Sequence, residues 1–329
     1  MTDQQPSNDA FEHAPVMRDE IVDVFSTVPA GTIVDATLGG GGHADAVLRS
    51  RDDLDVLGID QDADARAAAT ERLASFGDRV RTSGRRFDQF AAALADHDVD
   101  EISGALFDLG VSSPQLDRGD RGFSYRHEGP LDMRMDRDQT WSAGDVVNGY
   151  AEADLARIIR RYGDERFAGR IAAAICAARP IQTTTELAEV VTSAIPAPAR
   201  RTGGHPAKRT FQAIRIEVND ELGALPEAID QAVDATVPGG RIAVLSYHSG
   251  EDRIVKERFA AAAGACECPD DLPCVCGAVQ TVRIVRRIAK RPSAAERAGN
   301  RRAASARLRV VERIEAVDKR DGSPVGGGR

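Results

Sequence analysis

Thr32-Ile33-Val34-Asp35-Ala36-Thr37-Leu38-Gly39-Gly40-Gly41-Gly42-His43 decides how this chain is read: a short apolar strand runs into four consecutive glycines and then into the helix-compatible Ala44-Asp45-Ala46-Val47-Leu48-Arg49-Ser50. Glycines at such a place let the backbone pass close to a ligand and point the first free N–H groups of a helix at it. Eighteen residues after Gly42, a second apolar run, Val56-Leu57-Gly58-Ile59, ends in Asp60. A carboxylate at the tip of the second strand of a βαβ unit is placed to accept hydrogen bonds from ribose hydroxyls. Together these features predict an adenosine-containing ligand at the carboxyl ends of a parallel sheet. Gly39-Gly40-Gly41-Gly42-His43-Ala44 also fits G-x-G-x-x-A, so a dinucleotide cofactor, and with it an NAD-dependent oxidoreductase, stays open at this point.

Outward from that stretch the pattern alternates. A short helix is expected from Asp19 to Phe25 before it, and helices from about His43 to Arg49, Ala63 to Phe76 and Phe87 to Leu94 after it. Val80 to Thr82 and Ile102 to Phe107 read as further strands, the latter ending in Asp108. This is a doubly wound α/β sheet with its ligands at the strand C-termini. The next convincing strand, Arg241 to Ser246, lies about 130 residues on, far beyond an ordinary crossover, so an insertion is expected. Its periodicity is helical: Leu155, Ile158 and Ile159, then Ile171 and Ile175, then a capping-box spacing from Thr183 to Glu186. A long amphipathic helix is expected from Thr210 to Leu225, with Pro226 ending or kinking it before a further helical piece to Val233. Val279 to Val285 and Leu308 to Val311 are candidate closing strands. The expected division is a tail over 1–12, a discontinuous sheet domain over 13–125 and 206–312, an all-helical insertion over 126–205, and a tail over 313–329.

With 329 residues, 42% hydrophobic and 29% charged, the chain has the composition of an ordinary globular enzyme. A net charge of −9 excludes a uniform field that recruits polyanions, so nucleic-acid contact has to come from local basic patches. Ten Lys or Arg against Glu296 alone in residues 283–309, and Arg200, Arg201, Lys208, Arg209 and Arg215, form two such regions. No run approaches the ~18 apolar residues of a membrane span. The start of the chain is acidic and polar, so neither signal peptide nor membrane partner is expected, and the location expected is the cytoplasm. Five cysteines do not suggest a disulfide framework. Cys266, Cys268, Cys274 and Cys276 could hold zinc or be reduced, metal-free thiols; no metal is assigned.

Four stretches carry a closer resemblance: Thr37 to His43, Asp108-Leu109-Gly110-Val111-Ser112-Ser113-Pro114-Gln115-Leu116-Asp117, Gly129-Pro130-Leu131-Asp132-Met133-Arg134-Met135, and His205-Pro206-Ala207-Lys208-Arg209-Thr210-Phe211-Gln212. With Ser246-Tyr247-His248-Ser249 they resemble, in order from about His13 to Arg309, the bacterial ribosomal RNA small subunit methyltransferase H family, also called MraW. That resemblance implies a Rossmann-like methyltransferase sheet interrupted by a helical domain. It also implies methylation, dependent on S-adenosyl-L-methionine, of N4 of a decoding-centre cytidine in 16S rRNA. Its cofactor contacts, carried over by position, fall on Gly41, Gly42, His43, Asp60, Phe87, Asp108 and Gln115. Family members usually have leucine where Gly250 stands, which should loosen the start of the following helix.

Chemically those positions make sense. Glycine-loop N–H groups suit a carboxylate, Asp60 suits ribose hydroxyls and Phe87 offers a face for adenine. Ser113, with the carbonyl of Ser113 or Pro114, is the candidate acceptor for the target amine. Tyr247 and His248 are candidates for stacking on the base or contacting phosphate, with Lys208 and Arg209 on the RNA backbone. Phe123, Tyr125 and Trp141 could stack on splayed bases. A non-catalytic RNA-binding assembly factor is the other alternative, and a homodimer is open.

Overall fold

The computed structural model describes residues 15–200, 204–265, 268, 278–288, 290–300 and 303–318; the side chains of Ser113, Pro114 and Asp318 fall outside that description. Its strands are Gly31–Asp35 (β1), Leu54–Ile59 (β2), Val80–Ser83 (β3), Ile102–Asp108 (β4), Thr236–Ser246 (β5), Val279–Ile284 (β6) and Arg307–Asp318 (β7). They form one sheet in the order β3-β2-β1-β4-β5-β7-β6. β1 to β5 are mutually parallel, and β7 runs antiparallel to both β5 and β6.

Three helices, Arg18–Phe25 (α1), Gly42–Ser50 (α2) and Ala63–Leu73 (α3), supply the apolar layer on one face of the sheet. On the other face Phe90–Asp96 (α4) packs with two later helices around Phe107. Between β4 and β5 the chain leaves the sheet through Ser113–Asp117 (α5) into Ala143–Gly149 (α6), Glu152–Gly163 (α7), Ala168–Ala178 (α8), Thr184–Ala194 (α9) and Ala197–Arg200 (α10). These helices close round a separate core in which Leu155, Ile158, Ile159, Ile171 and Ile175 are fully buried, the stripe read from the sequence. The capping box of Thr183 and Glu186 is present, and Ser142 with Asp145 forms a second that the sequence analysis did not single out. The remaining helices are Lys208–Asn219 (α11), Glu221–Ala235 (α12), Ser249–Ala262 (α13) and Ala294–Gly299 (α14).

Expected boundaries are corrected at two places in the chain. The single helix from Thr210 to Leu225 is two, broken at Asp220 in left-handed conformation (φ 48°, ψ 40°). The break serves two cores: Phe211, Ile214 and Val218 of α11 belong to the helical core, whereas Leu225, Ile229 and Val233 of α12 lie on the sheet. The helical core therefore reaches past the expected return at residue 206, and the further helical piece expected to Val233 is α12, which contains Pro226 and runs to Ala235. The second correction is at the C-terminal end, where β7 runs to Asp318 because its ladder with β6 continues there, so the tail does not begin at 313.

Phe107 is the central apolar contact of the sheet's second face, fully buried and stacked on Phe90 at 6.1 Å between ring centroids. Phe107→Ala is expected to lower unfolding free energy by about 3–5 kcal/mol in urea titration, through lost burial and the cavity left behind.

Candidate active site

Strand order reverses between β1 and β4, which is where an open parallel sheet leaves a crevice at its carboxyl edge. The glycine loop lines it. Leu38 N–H donates to the Ile59 carbonyl (3.0 Å) and Gly41 N–H to the Leu38 carbonyl (2.8 Å), folding the loop tightly over β2. Gly39 and Gly41 have φ of 51° and 73°, a region costly for any residue with a side chain. A Cβ at Gly41 would also press on Leu73 and Ala69, while the space above Gly40 is open. Gly41 caps α2, and His43 sits in that helix's first turn.

Three carboxylates converge on this edge: Asp35 ends β1, Asp108 ends β4 and Asp60 follows β2. Asp60 is held by two backbone donors, Gly39 N–H on Oδ2 (2.8 Å) and Asp62 N–H on Oδ1 (2.9 Å). Burial nevertheless pushes its pKa up to about 6. Burial raises the Asp35 carboxyl further, to about 7, with nearby Asp108 and Asp60 adding to the effect and His43 opposing it. Asp108 donates its N–H to Thr37 Oγ1 (2.6 Å) and accepts the Tyr247 hydroxyl on Oδ1 (2.6 Å). His43 Nε2 lies 3.4 Å from Asp108 Oδ2 without the alignment of a hydrogen bond; both ring nitrogens are buried and unpartnered, as is Ser112 Oγ.

The other expected cofactor residues divide. Phe87, in a 3-10 turn ahead of α4, is edge-on to Phe107 at 6.4 Å and only half-buried, so part of its ring remains accessible. Gln115 is buried and bridges the protein to itself: Oε1 accepts from Ser112 N–H (2.9 Å) and Nε2 donates to Asp62 Oδ2 (2.8 Å). It thereby shapes the Ser112 loop, leaving one amide hydrogen for any ligand. Ser113 and Pro114 open α5, but their side chains lie outside the described residues.

A cleft of ≈ 530 Å³ opens on the helical insertion, lined by His205, Lys208, Arg209 and Gln212 among others, with His248 and Ser249 of the sheet domain at its edge. Lys208 and Arg209 are exposed at its rim, Arg209 anchored by a hydrogen bond to the Asp164 carbonyl (2.9 Å). His248 lines it too, and caps α13: Nδ1 accepts from Glu251 N–H, while Glu251 Oε2 accepts from the N–H groups of Tyr247 and His248. That box starts the helix firmly at Ser249, so Gly250 does not loosen it; a Cβ there would crowd the His248 ring at 3.2 Å. Tyr247, beside His248 in the chain, donates its hydroxyl to Asp108.

Several of the other expected RNA-contact cations also hold the fold together. Arg215 forms a bidentate pair with buried Glu221, Arg200 closes the end of α9, and Arg307 and Arg309 both clamp Asp252. Arg201 lies outside the described residues. Phe123 is buried in the helical core and Tyr125 stacks on His205 at 4.5 Å, leaving Trp141 the open aromatic of the three, at 43% exposure. Of the four paired cysteines only Cys268 is described; among the described residues no cluster of His, Cys, Asp or Glu could hold a metal, and no helix is long and apolar enough to cross a membrane.

Residues 10–314 match the model of the MraW methylase family. The chain is 50% identical over 315 residues to the ribosomal RNA small subunit methyltransferase H of Symbiobacterium thermophilum, covering 94% of this chain and 99% of that one. It is also 50% identical over 311 residues to the protein of that name from Acidothermus cellulolyticus, covering 93% and 94% respectively. With the match spanning nearly the whole chain, sheet and insertion alike, the protein belongs to the MraW methylase family and is a methyltransferase.

Proposed function

We propose that the protein methylates small-subunit ribosomal RNA with S-adenosyl-L-methionine as donor, and that the acceptor is N4 of a decoding-centre cytidine in 16S rRNA, methylated in the cytoplasm. The observation that supports this reading is the carboxyl edge of the sheet, where Asp35, Asp60 and Asp108 stand at the tips of neighbouring parallel strands and His43, buried and unpartnered like Ser112, lies 3.4 Å from Asp108. Consecutive residues join this edge to the cleft: Tyr247 backs Asp108 and His248 lines the cleft.

The crevice fits the donor. Buried polar atoms without partners call for polar atoms of a ligand. The two oxygens of Asp60 each hold one backbone donor and keep lone pairs for ribose hydroxyls. The carboxylate cluster favours a cation and opposes a pyrophosphate, which argues against the dinucleotide reading. S-adenosyl-L-methionine supplies a methyl group already activated on a sulfonium. The chain's own task is then alignment and charge. Loop N–H groups at the start of α2 hold a carboxylate, Asp60 orients the ribose, and Phe87 backs the adenine. Asp108, steered by Tyr247 and Thr37, presents a fixed acceptor at the crevice floor.

Cytosine's exocyclic amine is a poor nucleophile because its lone pair is delocalised into the ring. Ser113 and the carbonyl of Ser113 or Pro114 would accept from its hydrogens and favour a pyramidal nitrogen as the nitrogen–methyl bond forms and the methyl–sulfur bond breaks, with S-adenosylhomocysteine leaving and the amine's surplus proton passing to solvent. Exclusion of water and correct placement supply the remainder of the acceleration. Lys208 and Arg209 contact the flanking phosphates, and His248 meets the nucleotide as it passes from cleft to crevice.

Asp60→Ala is expected to weaken S-adenosylhomocysteine binding at least about tenfold in calorimetry, the value of hydrogen bonds to a charged acceptor. Nucleoside mass spectrometry of 16S rRNA should lose N4-methylcytidine in cells lacking the gene and regain it with the wild-type chain; an unchanged level would sink the assignment. Lys208→Glu should weaken binding to small subunits and flatten its salt dependence by about one unit of log–log slope or more.

The Asp35 carboxyl also makes a stability prediction. Its folded value of about 7 lies above the unfolded value, so its contribution is full below about pH 4 and is lost as pH rises through 7. Asp35→Asn should therefore match the wild type near pH 4 and exceed it at pH 8, by at most about 4 kcal/mol, in denaturant titrations at both pH values.

A further inference from the structure

The donor crevice and the RNA cleft lie on different cores, and methyl transfer tolerates little error in their relative placement. One buried side chain connects them. Arg121 is 2% exposed, and its Nη2 reaches Asp62 Oδ2 at 2.8 Å. The same nitrogen donates to the Arg134 carbonyl at 3.0 Å, while Nη1 reaches Asp64 Oδ2 at 3.3 Å. Asp62 in turn donates its N–H to Asp60, caps α3 through Asp64 N–H, and takes Gln115 Nε2 on the oxygen that Arg121 also holds. Through Gln115 the same group reaches Ser112 N–H.

On the other side, Arg121 is stitched to the segment after Pro130. Met133 N–H donates to the Arg121 carbonyl (3.1 Å), and Met135 N–H to Asn219 Oδ1 (2.8 Å). Asn219 Nδ2 returns to the Met133 carbonyl at 2.8 Å and to the Arg215 carbonyl at 2.9 Å. Asn219 is the last residue of α11, and Lys208 is the first. The helix is a rigid rod of roughly 17 Å at 1.5 Å per residue. Two buried groups, Arg121 and Asn219, thus lie on a continuous path from the ribose carboxylate to the rim of the RNA cleft.

Resting on the function proposed above, we infer that Arg121 is a positioning residue for methyl transfer: it registers the donor loop and the Ser112 turn against the helix that carries the RNA-binding cations. The planar guanidinium fork is what the junction needs, because it meets Asp62, Asp64 and a backbone carbonyl at once. An ammonium can keep the charge partner but cannot reproduce the fork.

Arg121→Lys retains a cation opposite Asp62 and so is the informative variant. Asn219→Ala cuts the path at its far end, away from every donor contact, and covers the case in which the lysine variant fails to fold. Single-turnover methylation of small subunits lacking the modification is measured with enzyme and donor saturating, beside S-adenosylhomocysteine affinity and thermal unfolding. The expected result for each folded variant is a rate at least tenfold below wild type, with S-adenosylhomocysteine affinity within threefold. Full rate at saturation, or a loss matched by an equal loss of S-adenosylhomocysteine affinity, overturns the inference. An inactive wild-type chain removes the functional reading and this inference together, whereas an active wild type with full-rate variants removes the inference alone.

Discussion

The hydrogen bond from Gly39 N–H to Asp60 Oδ2 is the contact on which the architecture of the site rests. A loop of four glycines has much conformational entropy to lose on folding. The carboxylate after β2 gathers that loop at a single oxygen, and its other oxygen holds Asp62 N–H at the start of α3. Loop, strand tip and helix start are thereby made one unit. The space above Gly40 is open, so a ligand can approach the loop backbone there.

This arrangement is costly without a ligand. Burial disfavours the charged forms of Asp35 and Asp60 and raises both above the ordinary carboxylate range, with neighbouring carboxylates adding to it: Asp108 and Asp60 for Asp35, Asp62 for Asp60. His43 lies beside Asp108 with neither ring nitrogen satisfied. Local interactions are thus poorly balanced at this edge while the cores on either face of the sheet are closely packed. Such contrast is characteristic of sites kept for binding instead of stability. A ligand bearing positive charge and hydrogen-bonding groups relieves both the repulsion and the unsatisfied atoms.

How far the sequence disclosed all this depended on whether the signal was local. The glycine loop, Asp60, the strand ending at Asp108 and the helical insertion were legible, because each is written in contiguous residues of one periodicity. The break at Asp220 was not: apolar residues keep helical spacing from Phe211 to Leu225, and only the existence of two cores on different sides makes the chain turn between them. Gln115 and Tyr247 were recognised as site residues, but their partners, Asp62 and Asp108, lie 53 and 139 residues away in the chain. Pairings of that kind leave no trace in spacing. The same holds for the charged residues: Arg215 and Lys208 look alike in a basic stretch, yet one is buried against Glu221 and the other is open to the cleft.

The Gly129-to-Met135 segment makes the same point from the opposite direction. It is one of the stretches that carry the family resemblance, and its backbone is used for assembly. Gly129 and Thr184 exchange two hydrogen bonds, tying the segment to the start of α9. Asp132 then pairs with Arg134, and the backbone of Met133 and Met135 bonds to Arg121 and Asn219. A helical insertion attached only at its two ends would pivot about them, because two strands of linker resist bending but not rotation. A segment stitched at successive residues to the donor side, to α9 and to α11 supplies the third line of attachment that removes the pivot. The insertion can therefore carry Lys208 and Arg209 on a separate core and still hold them in fixed relation to Asp60 and the glycine loop.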